Sequence, residues 1–183
     1  MNKILAALSL VLTSLAFVAC GGNSLQTTYT NQAEKIDKWV DSQLKSHPEY
    51  RAVYNDGVVR LIIAEGTGDY LEKGGKLTFT YTGYTFDNYS VSNSNIFATN
   101  DADLAGTARW NLTDESVFTP TTIVLGRDDL VKGLEMGLEG ICEGEDCYIV
   151  FSGKYGFGRK RLGTIPANTA ICYRILANEV VNK

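Results

Sequence analysis

The first apolar stretch of the chain is short and lies at its N-terminus. Residues 4–18 are apolar except for three hydroxyl side chains, and Lys3 precedes them. A helix of this length cannot cross ~30 Å of hydrocarbon, which takes about 20 residues. The pattern therefore predicts a signal peptide over residues 1–19 rather than a transmembrane anchor.

Three apolar side chains spaced four residues apart predict a helix over residues 31–47. Ile36, Val40 and Leu44 recur at the spacing of one helical face. Pro48 ends the pattern, because a proline disfavours helix at the residue before it. One helix cannot bury its own stripe. It therefore either packs on the main body of the protein or pairs with another copy of the chain.

The segment before that helix is small and polar. Residues 20–30 are rich in Gly, Asn, Ser, Gln and Thr, a composition typical of a flexible tether. Asn31 and Glu34 have the spacing of a helix N-cap and its reciprocal partner. We therefore expect the helix to begin at Asn31.

From Gly57 onward the pattern is that of strands separated by turns. In residues 76–82 apolar side chains alternate with threonines, so one face of this strand is buried and the other is wet. Residues 88–119 are polar and predict long loops with little regular structure. Strands are predicted over residues 58–64, 76–82, 123–125, 147–151 and 169–180.

A single helix interrupts these strands. Leu130, Leu134 and Leu138 recur every four residues after Asp128, which can cap the helix. Two glycines share one side of this helix. Because glycine in a helix costs up to ~1 kcal/mol, they indicate close approach of another backbone or a ligand. Strands before and after one helix, without βαβ alternation, predict an α+β fold with an antiparallel sheet.

Composition and charge exclude several classes of protein. The 183 residues are 44% hydrophobic and 21% charged, as in an ordinary globular domain. A formal net charge of −4 offers no long-range attraction to phosphate, so nucleic acid is not a predicted partner. His47, the only histidine, lies outside the strand region. This placement argues against a histidine-based catalytic centre or zinc site, and we expect no metal and no cofactor.

Three cysteines follow Cys20 in the chain. In an exported protein two of them could form a disulfide and leave one thiol free. The alternative is that all three are buried thiols that behave as small apolar side chains. We favour the second interpretation for Cys142, Cys147 and Cys172.

The segment Phe-Val-Ala-Cys-Gly-Gly at residues 17–22 resembles a bacterial lipoprotein box. The resemblance implies cleavage before Cys20, lipidation of its thiol and attachment to a membrane through acyl chains. Gly21 rather than an aspartate after the cysteine implies sorting to the outer membrane, with the protein facing the periplasm.

Four blocks in the second part of the chain resemble, in order, the FKBP-type peptidyl-prolyl cis-trans isomerases. The most specific are LGRDDLVKG at residues 125–133 and GTIPANTA at residues 163–170. LTFTYTG at residues 77–83 and the stretch 137–145 complete the set. The resemblance implies an FKBP-like domain over residues 57–183. Its fold would be a curved antiparallel sheet wrapped around one short helix, with an apolar pocket between them.

The resemblance also implies a set of site residues. Val131 would hold a substrate carbonyl through its backbone N–H, and Tyr173 stands where a phenylalanine is usual. The catalytic set would be Tyr81, Phe97, Val131 and Phe157. The substrate-binding set would be Asp129, Leu130, Leu134, Ile165 and Tyr173.

Four positions depart from the family pattern. Ala98 replaces an aspartate that bonds within the pocket, and Phe157 replaces a tyrosine whose hydroxyl usually bonds the ligand. Leu134 stands in place of a tryptophan on the pocket floor, and Thr121 in place of a further aromatic residue. The apolar floor is therefore retained, while most of the polar rim is absent.

These observations leave three hypotheses. The leading one is a prolyl isomerase and folding helper in the bacterial envelope, acting on proline-containing protein or peptide segments. The second is a binding module that keeps the FKBP shape without efficient catalysis. The third is a structural lipoprotein that self-associates through residues 31–47.

Overall fold

A computed structural model describes residues 20–107 and 115–182, with the side chains of residues 20–23 and 115 left aside. The predicted signal peptide lies outside the described residues. The helices are α1 (Cys20–Ser46), α2 (Ala102–Thr107) and α3 (Lys132–Leu138). The strands are β1 (Arg51–Asn55), β2 (Val58–Ala64), β3 (Lys76–Thr85), β4 (Ile96–Thr99), β5 (Thr121–Val124), β6 (Asp146–Phe151) and β7 (Ile171–Val181).

In the described part of the chain these strands form one antiparallel sheet. Its order is β1-β2-β6-β7-β3-β4, and β5 also pairs with β3. The long strand β3 has β7 along one edge, while β5 and β4 pair with successive parts of its other edge. The sheet and α3 confirm the predicted α+β architecture, in which a curved antiparallel sheet surrounds one short helix.

Both faces of the sheet are buried, each in its own apolar cluster. In β6, Ile149 and Phe151 belong to the cluster that contains α3, whereas Tyr148 and Val150 belong to the cluster that contains α1. Side chains of a strand alternate between faces, so a strand covered on both sides is apolar throughout. This placement explains the continuous apolar runs in β2 and β6.

The glycines of α3 allow this helix to lie directly on β6. A Cβ atom on Gly133 would lie 2.3 Å from Cγ of Phe151, and one on Gly137 would lie 2.2 Å from a methyl carbon of Ile149. The close approach predicted from the sequence is therefore present. Its partner, however, is a pair of strand side chains rather than another backbone or a ligand.

The N-terminal helix is longer than predicted. The helix α1 begins at Cys20, so the prediction of a flexible tether over residues 20–30 was wrong. Asn31 lies inside the helix and does not cap it. Within the described ranges, no helix combines the length and apolar character needed to cross a bilayer.

The apolar stripe of α1 packs on the protein's own sheet. Ile36 and Val40 are fully buried in the cluster that contains Val59 and Leu61 of β2, and Leu44 packs against its edge. Of the two placements left open by the sequence, packing on the main body is the one observed. The stripe is therefore not exposed for pairing with a second copy of the chain.

Three other details of the prediction need correction. The polar region 88–119 contains β4 and α2, although residues 108–114 lie outside the described part. Strand β1 was not predicted. Asp128 does not cap α3; its carboxylate accepts the Val124 N–H at 2.7 Å and closes a turn, and the N-cap residue is Val131.

The three later cysteines are free and buried, which confirms the interpretation favoured from the sequence. Burial raises the pKa of the Cys147 and Cys172 thiols above their ordinary range. Both thiols therefore remain protonated, and they fill space in the two apolar clusters.

A buried ion pair fastens the end of α3 to the sheet. Arg60 of β2 donates to the carbonyl oxygens of Gly137 and Glu139 at 2.8 Å and of Gly140 at 2.9 Å. Its Nε lies 3.0 Å from a carboxylate oxygen of Glu145, which is 1% exposed. These carbonyls have no partner within the helix, so Arg60 satisfies groups that would otherwise be buried and unpaired.

Candidate binding pocket

Four aromatic side chains meet on the face of the sheet that carries α3. Tyr81 comes from β3, Phe97 from β4, Tyr173 from β7 and Phe157 from the loop that joins β6 to β7. The ring centroid of Phe97 lies 5.7 Å from that of Tyr173 and 6.2 Å from that of Phe157, both nearly edge-on. Tyr81 and Tyr173 lie 6.4 Å apart. These separations are typical of packed aromatic pairs.

A glycine on β3 makes this ring cluster possible. A Cβ atom on Gly83 would lie 2.6 Å from Cζ of Phe97 and 2.9 Å from Cε1 of Tyr173. Any larger residue would therefore push the two rings apart. The glycine that ends the LTFTYTG block consequently has a packing role in the pocket.

Aliphatic side chains complete the wall and floor. Leu134 and Ile165 are buried in the same cluster as the four aromatic residues, and Leu130 and Val131 pack against it, half-buried. The structure thus brings together every predicted site residue except Asp129 and Cys20. Asp129 is exposed and lies outside the cluster, and the side chain of Cys20 lies outside the described atoms.

One backbone donor beside the pocket is unused. In the described part of the chain the N–H of Val131 donates no hydrogen bond, while the neighbouring N–H of Gly133 donates to the Tyr155 carbonyl at 2.8 Å. A free N–H next to an apolar surface can bind a carbonyl that enters the pocket. This is the role that the resemblance assigns to Val131.

Two hydroxyl groups are the other polar atoms of the pocket. Neither the Tyr81 nor the Tyr173 hydroxyl forms a hydrogen bond with any described group. Tyr173 is 6% exposed, yet its hydroxyl oxygen is not enclosed. Among the described residues, the only enclosed side-chain polar atoms without a hydrogen bond are the two ion-paired atoms of Arg60 and Glu145. The Tyr173 hydroxyl therefore reaches accessible space.

Burial keeps both hydroxyls neutral. It raises the pKa of Tyr81 above its ordinary value. Burial, together with the nearby Tyr81, also raises the pKa of Tyr173. Desolvation disfavours the charged phenolate, so each group remains a donor at physiological pH.

Of the positions that depart from the family pattern, Leu134 and Phe157 belong to this cluster, whereas Ala98 and Thr121 lie on strands that pair with β3. Phe157 packs edge-on against Phe97 and contributes no hydroxyl. Ala98 is half-buried in β4 opposite Gly83, and Thr121 lies in β5, 3.4 Å from the amide nitrogen of Asn100. The polar groups of the pocket are consequently the two tyrosine hydroxyls and the Val131 N–H.

Three acidic residues at the start of β6 and just before it are engaged in structural contacts. Glu145 pairs with Arg60, Asp146 with Arg174, and Glu143 accepts the Val180 N–H at 2.8 Å. Over residues 20–107 and 115–182, no group of three or more Asp, Glu, His or Cys side chains is placed to hold a metal ion.

Sequence reasoning missed two parts of the site. Phe151 stacks on Tyr173 with ring centroids 6.2 Å apart and forms the back of the cluster. Tyr29 and Gln32 of α1 bond to the loop that carries Phe157 and Ile165. The missed signal was the phase of the helix: Gln32, Ile36 and Val40 are four residues apart and so share one face.

A curved antiparallel sheet around one helix, with an aromatic cluster on the face that carries the helix, is the geometry that the family resemblance implies. Residues 68–177 match the family described as FKBP-type peptidyl-prolyl cis-trans isomerase, and the chain belongs to this family. Members of the family catalyse the cis-trans isomerisation of prolyl peptide bonds.

Curated relatives agree with this assignment. FK506-binding protein 1 of Aspergillus oryzae is 26% identical over 119 residues, which are 65% of this chain and 94% of the relative. FK506-binding protein 3 of Kluyveromyces lactis is 25% identical over 123 residues, but these cover 67% of this chain and only 24% of that protein.

Solved structures show the same fold. FkpA from Escherichia coli is similar with a TM-score of 0.56 and 16% identity, covering 87% of this chain and 64% of FkpA. The N-terminal domain of FKBP42 from Arabidopsis thaliana has a TM-score of 0.53 and 18% identity, covering 72% of this chain and 93% of that domain. The helix α1 precedes the residues matched by the family.

Proposed function

We propose that this protein is a peptidyl-prolyl cis-trans isomerase that assists protein folding in the bacterial cell envelope. The observation that supports it most directly is the single cluster formed by Tyr81, Phe97, Phe157 and Tyr173 beside the free N–H of Val131. This arrangement suits a prolyl bond, because the reaction needs an apolar environment and an oriented carbonyl rather than a nucleophile or a metal.

The physical argument concerns the barrier to rotation. An X–Pro bond rotates over ~18–20 kcal/mol because the amide loses its resonance in the twisted state. The planar amide is more polar than the twisted one, so an environment poor in water favours the twisted state. In this pocket the rings would surround the proline. The Val131 N–H and the hydroxyls of Tyr81 and Tyr173 would hold the substrate carbonyls.

The first experiment is NMR exchange spectroscopy on a proline-containing peptide. The protein would lack residues 1–19 and carry Cys20→Ser, so that it stays soluble. We expect faster exchange between the cis and trans peptide signals than in peptide alone. Tyr81→Ala should abolish the acceleration. Tyr148→Ala is the matched control, because Tyr148 is a half-buried tyrosine on the opposite face of the sheet.

Absence of acceleration in a protein that is folded by circular dichroism would refute the isomerase proposal. It would favour the second candidate, a binding module that holds proline-containing segments without catalysing their rotation. Ala98 and Phe157 support this candidate, because neither offers the polar group that the family pattern has there. Peptide binding, measured by chemical-shift titration in the same samples, separates the two functions.

The location in the envelope is a further part of the proposal. It is supported by the lipoprotein box at residues 17–22. In this proposal Cys20 carries the acyl chains, and these chains attach the protein to the outer membrane. Mass spectrometry of the protein purified from bacterial membranes should find acyl chains on an N-terminal Cys20. Recovery of the unacylated protein in the soluble periplasmic fraction would contradict this assignment.

A further inference from the structure

The loop that connects β6 to β7 carries two residues of the pocket. We call residues 152–170 the pocket loop. Phe157 packs against Phe97 across the pocket, and Ile165 is buried in the same cluster. The loop contains no strand, so its shape depends on contacts with other elements, among them the bond from the Gly133 N–H to the Tyr155 carbonyl and the contacts at its base.

The base of the pocket loop is a close contact between its two ends. A Cβ atom on Gly153 would lie 2.4 Å from the carbonyl oxygen of Asn168, so the two backbones touch. Asn168 has a φ of +60°, a left-handed conformation that asparagine tolerates better than most residues. The close backbone contact at Gly153 and the left-handed conformation of Asn168 therefore need support from other parts of the protein.

The helix α1 supplies that support. The side-chain oxygen of Gln32 accepts the Gly153 N–H at 2.9 Å, and its nitrogen donates to the Asn168 carbonyl at 2.7 Å. The Tyr29 hydroxyl donates to the side-chain oxygen of Asn168 at 2.9 Å. One amide side chain thus joins the two ends of the loop, and a tyrosine one turn earlier holds the second end.

From this base, hydrogen bonds lead to Phe157. The Gly153 carbonyl accepts the N–H of Gly156 at 3.3 Å and of Gly158 at 3.2 Å, the two residues that flank Phe157. The Gly158 carbonyl in turn accepts the Asn168 N–H. The position of Phe157 is therefore connected through two layers of hydrogen bonds to Gln32.

The apolar stripe of α1 holds Gln32 against the loop. Ile36 follows Gln32 by four residues on the same face and is 1% exposed, and Val40 is 0% exposed. A helix that is fixed at these residues presents Gln32 to the loop in one orientation. Burial of the apolar stripe thus fixes the orientation in which Gln32 binds the pocket loop.

We propose that α1 is a working part of the substrate site, with Gln32 and Tyr29 as positioning residues for the pocket loop. This inference rests on the proposed function, since it assigns their effect to the pocket that binds prolyl segments. It extends the site beyond the matched residues 68–177 to a helix that lies outside them.

The test compares two glutamines of the same helix. Gln32→Met removes both hydrogen bonds while keeping the volume and the helical propensity of the side chain. Gln43→Met is the matched control, because Gln43 is also half-buried in α1 but its side chain makes no hydrogen bond with a described group. Both variants are made in the chain without residues 1–19 that carries Cys20→Ser.

Three quantities are measured for each variant: amide hydrogen exchange of Gly153, Gly156 and Gly158, kcat/KM for a proline peptide, and the free energy of unfolding. One neutral hydrogen bond changes an equilibrium by about fivefold, so Gln32→Met should speed exchange in the loop and lower kcat/KM by about five- to tenfold. Gln43→Met should leave both near the wild-type values.

A double-mutant cycle tests the second contact. Tyr29→Phe removes the donor, and Asn168→Gly removes the acceptor while still allowing a positive φ. If the two side chains act through their mutual hydrogen bond, the double variant should lose little more loop protection than either single variant. Additive losses would contradict this part of the proposal.

Two results would overturn the proposal as a whole. One is equal loop exchange and equal kcat/KM in Gln32→Met and Gln43→Met. The other is a lower free energy of unfolding in Gln32→Met with unchanged kcat/KM per folded molecule, which would leave Gln32 a purely structural role. If the wild type neither isomerises nor binds proline peptides, the proposed function fails, and loop exchange alone decides whether Gln32 positions the loop.

Discussion

Tyr173→Phe separates a role in substrate binding from a role in folding. The substitution removes only the hydroxyl and keeps the ring, whose centroid lies 5.7 Å from Phe97 and 6.2 Å from Phe151. The hydroxyl has no hydrogen-bond partner in the described chain, so its loss leaves no protein group unpaired. We expect the free energy of unfolding to stay within about 0.5 kcal/mol of the wild type.

The expected effect on catalysis is larger. If the Tyr173 hydroxyl donates to a substrate carbonyl, its removal costs one hydrogen bond, about 0.5–1.5 kcal/mol. This corresponds to a fall in kcat/KM of about twofold to twelvefold. The assay is NMR exchange on a proline peptide, with urea unfolding of the same samples. Tyr148→Phe is the control, since Tyr148 packs on the opposite face of the sheet beside Trp39.

Either of two outcomes would refute this reasoning. Unchanged kcat/KM, together with unchanged peptide affinity, would mean that the hydroxyl does not contact the substrate. A loss of stability well above 1 kcal/mol would mean that the hydroxyl has an intramolecular partner in solution. In that case, a lower kcat/KM would no longer report on substrate binding.

Two further predictions follow from the buried charges and from the groups that titrate. Arg60→Met should destabilise the protein by about 3–5 kcal/mol at pH 7, because it leaves the Glu145 carboxylate buried without its cation. The double variant with Glu145→Gln should recover part of this free energy of unfolding, as measured by urea unfolding. Burial already raises the pKa of Glu145. A carboxyl with a raised pKa is protonated at acid pH and then costs little to bury, so the loss of stability in Arg60→Met should be smaller at pH 4 than at pH 7. An equal loss of stability at both pH values would contradict the buried-charge account. Separately, kcat/KM should be constant from pH 6 to 9. The raised pKa values of Tyr81 and Tyr173 keep both hydroxyls neutral in this range, and His47 stacks on Tyr50 away from the pocket. A pH profile of kcat/KM with a midpoint near pH 7 would contradict this assignment of the polar groups.

The sequence was most informative where one local rule determined the structure. The alternation in residues 76–82 and the apolar run 58–64 predicted two strands that are present. These predictions succeed because the buried positions of a strand carry apolar side chains. It was least informative for the start of α1. Residues 20–30 are mostly poor helix formers, so their helix depends on propagation from the packed part of α1, which cannot be seen in the composition of the segment.

The same distinction applies to the pocket. Tyr81 could be placed from the LTFTYTG block, and its meeting with Phe97 and Tyr173 follows from the strand order, since β4 and β7 both pair with β3. The support of the pocket loop could not be placed in this way, because Gln32 is more than a hundred residues away in sequence from the loop that it holds, as the separation of 136 residues to Asn168 shows. No local pattern predicts such a contact. The spacing of four residues between Gln32 and Ile36 shows only that Gln32 lies on the buried face of the helix.

The polar groups of the pocket show how a site can change while its shape is kept. The hydroxyl that the family pattern places at position 157 is absent here, and a hydroxyl is present at position 173, on a ring that contacts the same phenylalanine. Both rings pack edge-on against Phe97, so both belong to the same apolar surface. A donor moved from the loop to strand β7 is held more rigidly, because β7 pairs with β3 and β6 along its length. It is also more deeply buried, which raises its pKa and strengthens its hydrogen bond to a carbonyl in a medium with little water. The loss of the tyrosine at position 157 therefore does not by itself imply loss of catalysis, and Tyr173→Phe tests how much the Tyr173 hydroxyl contributes.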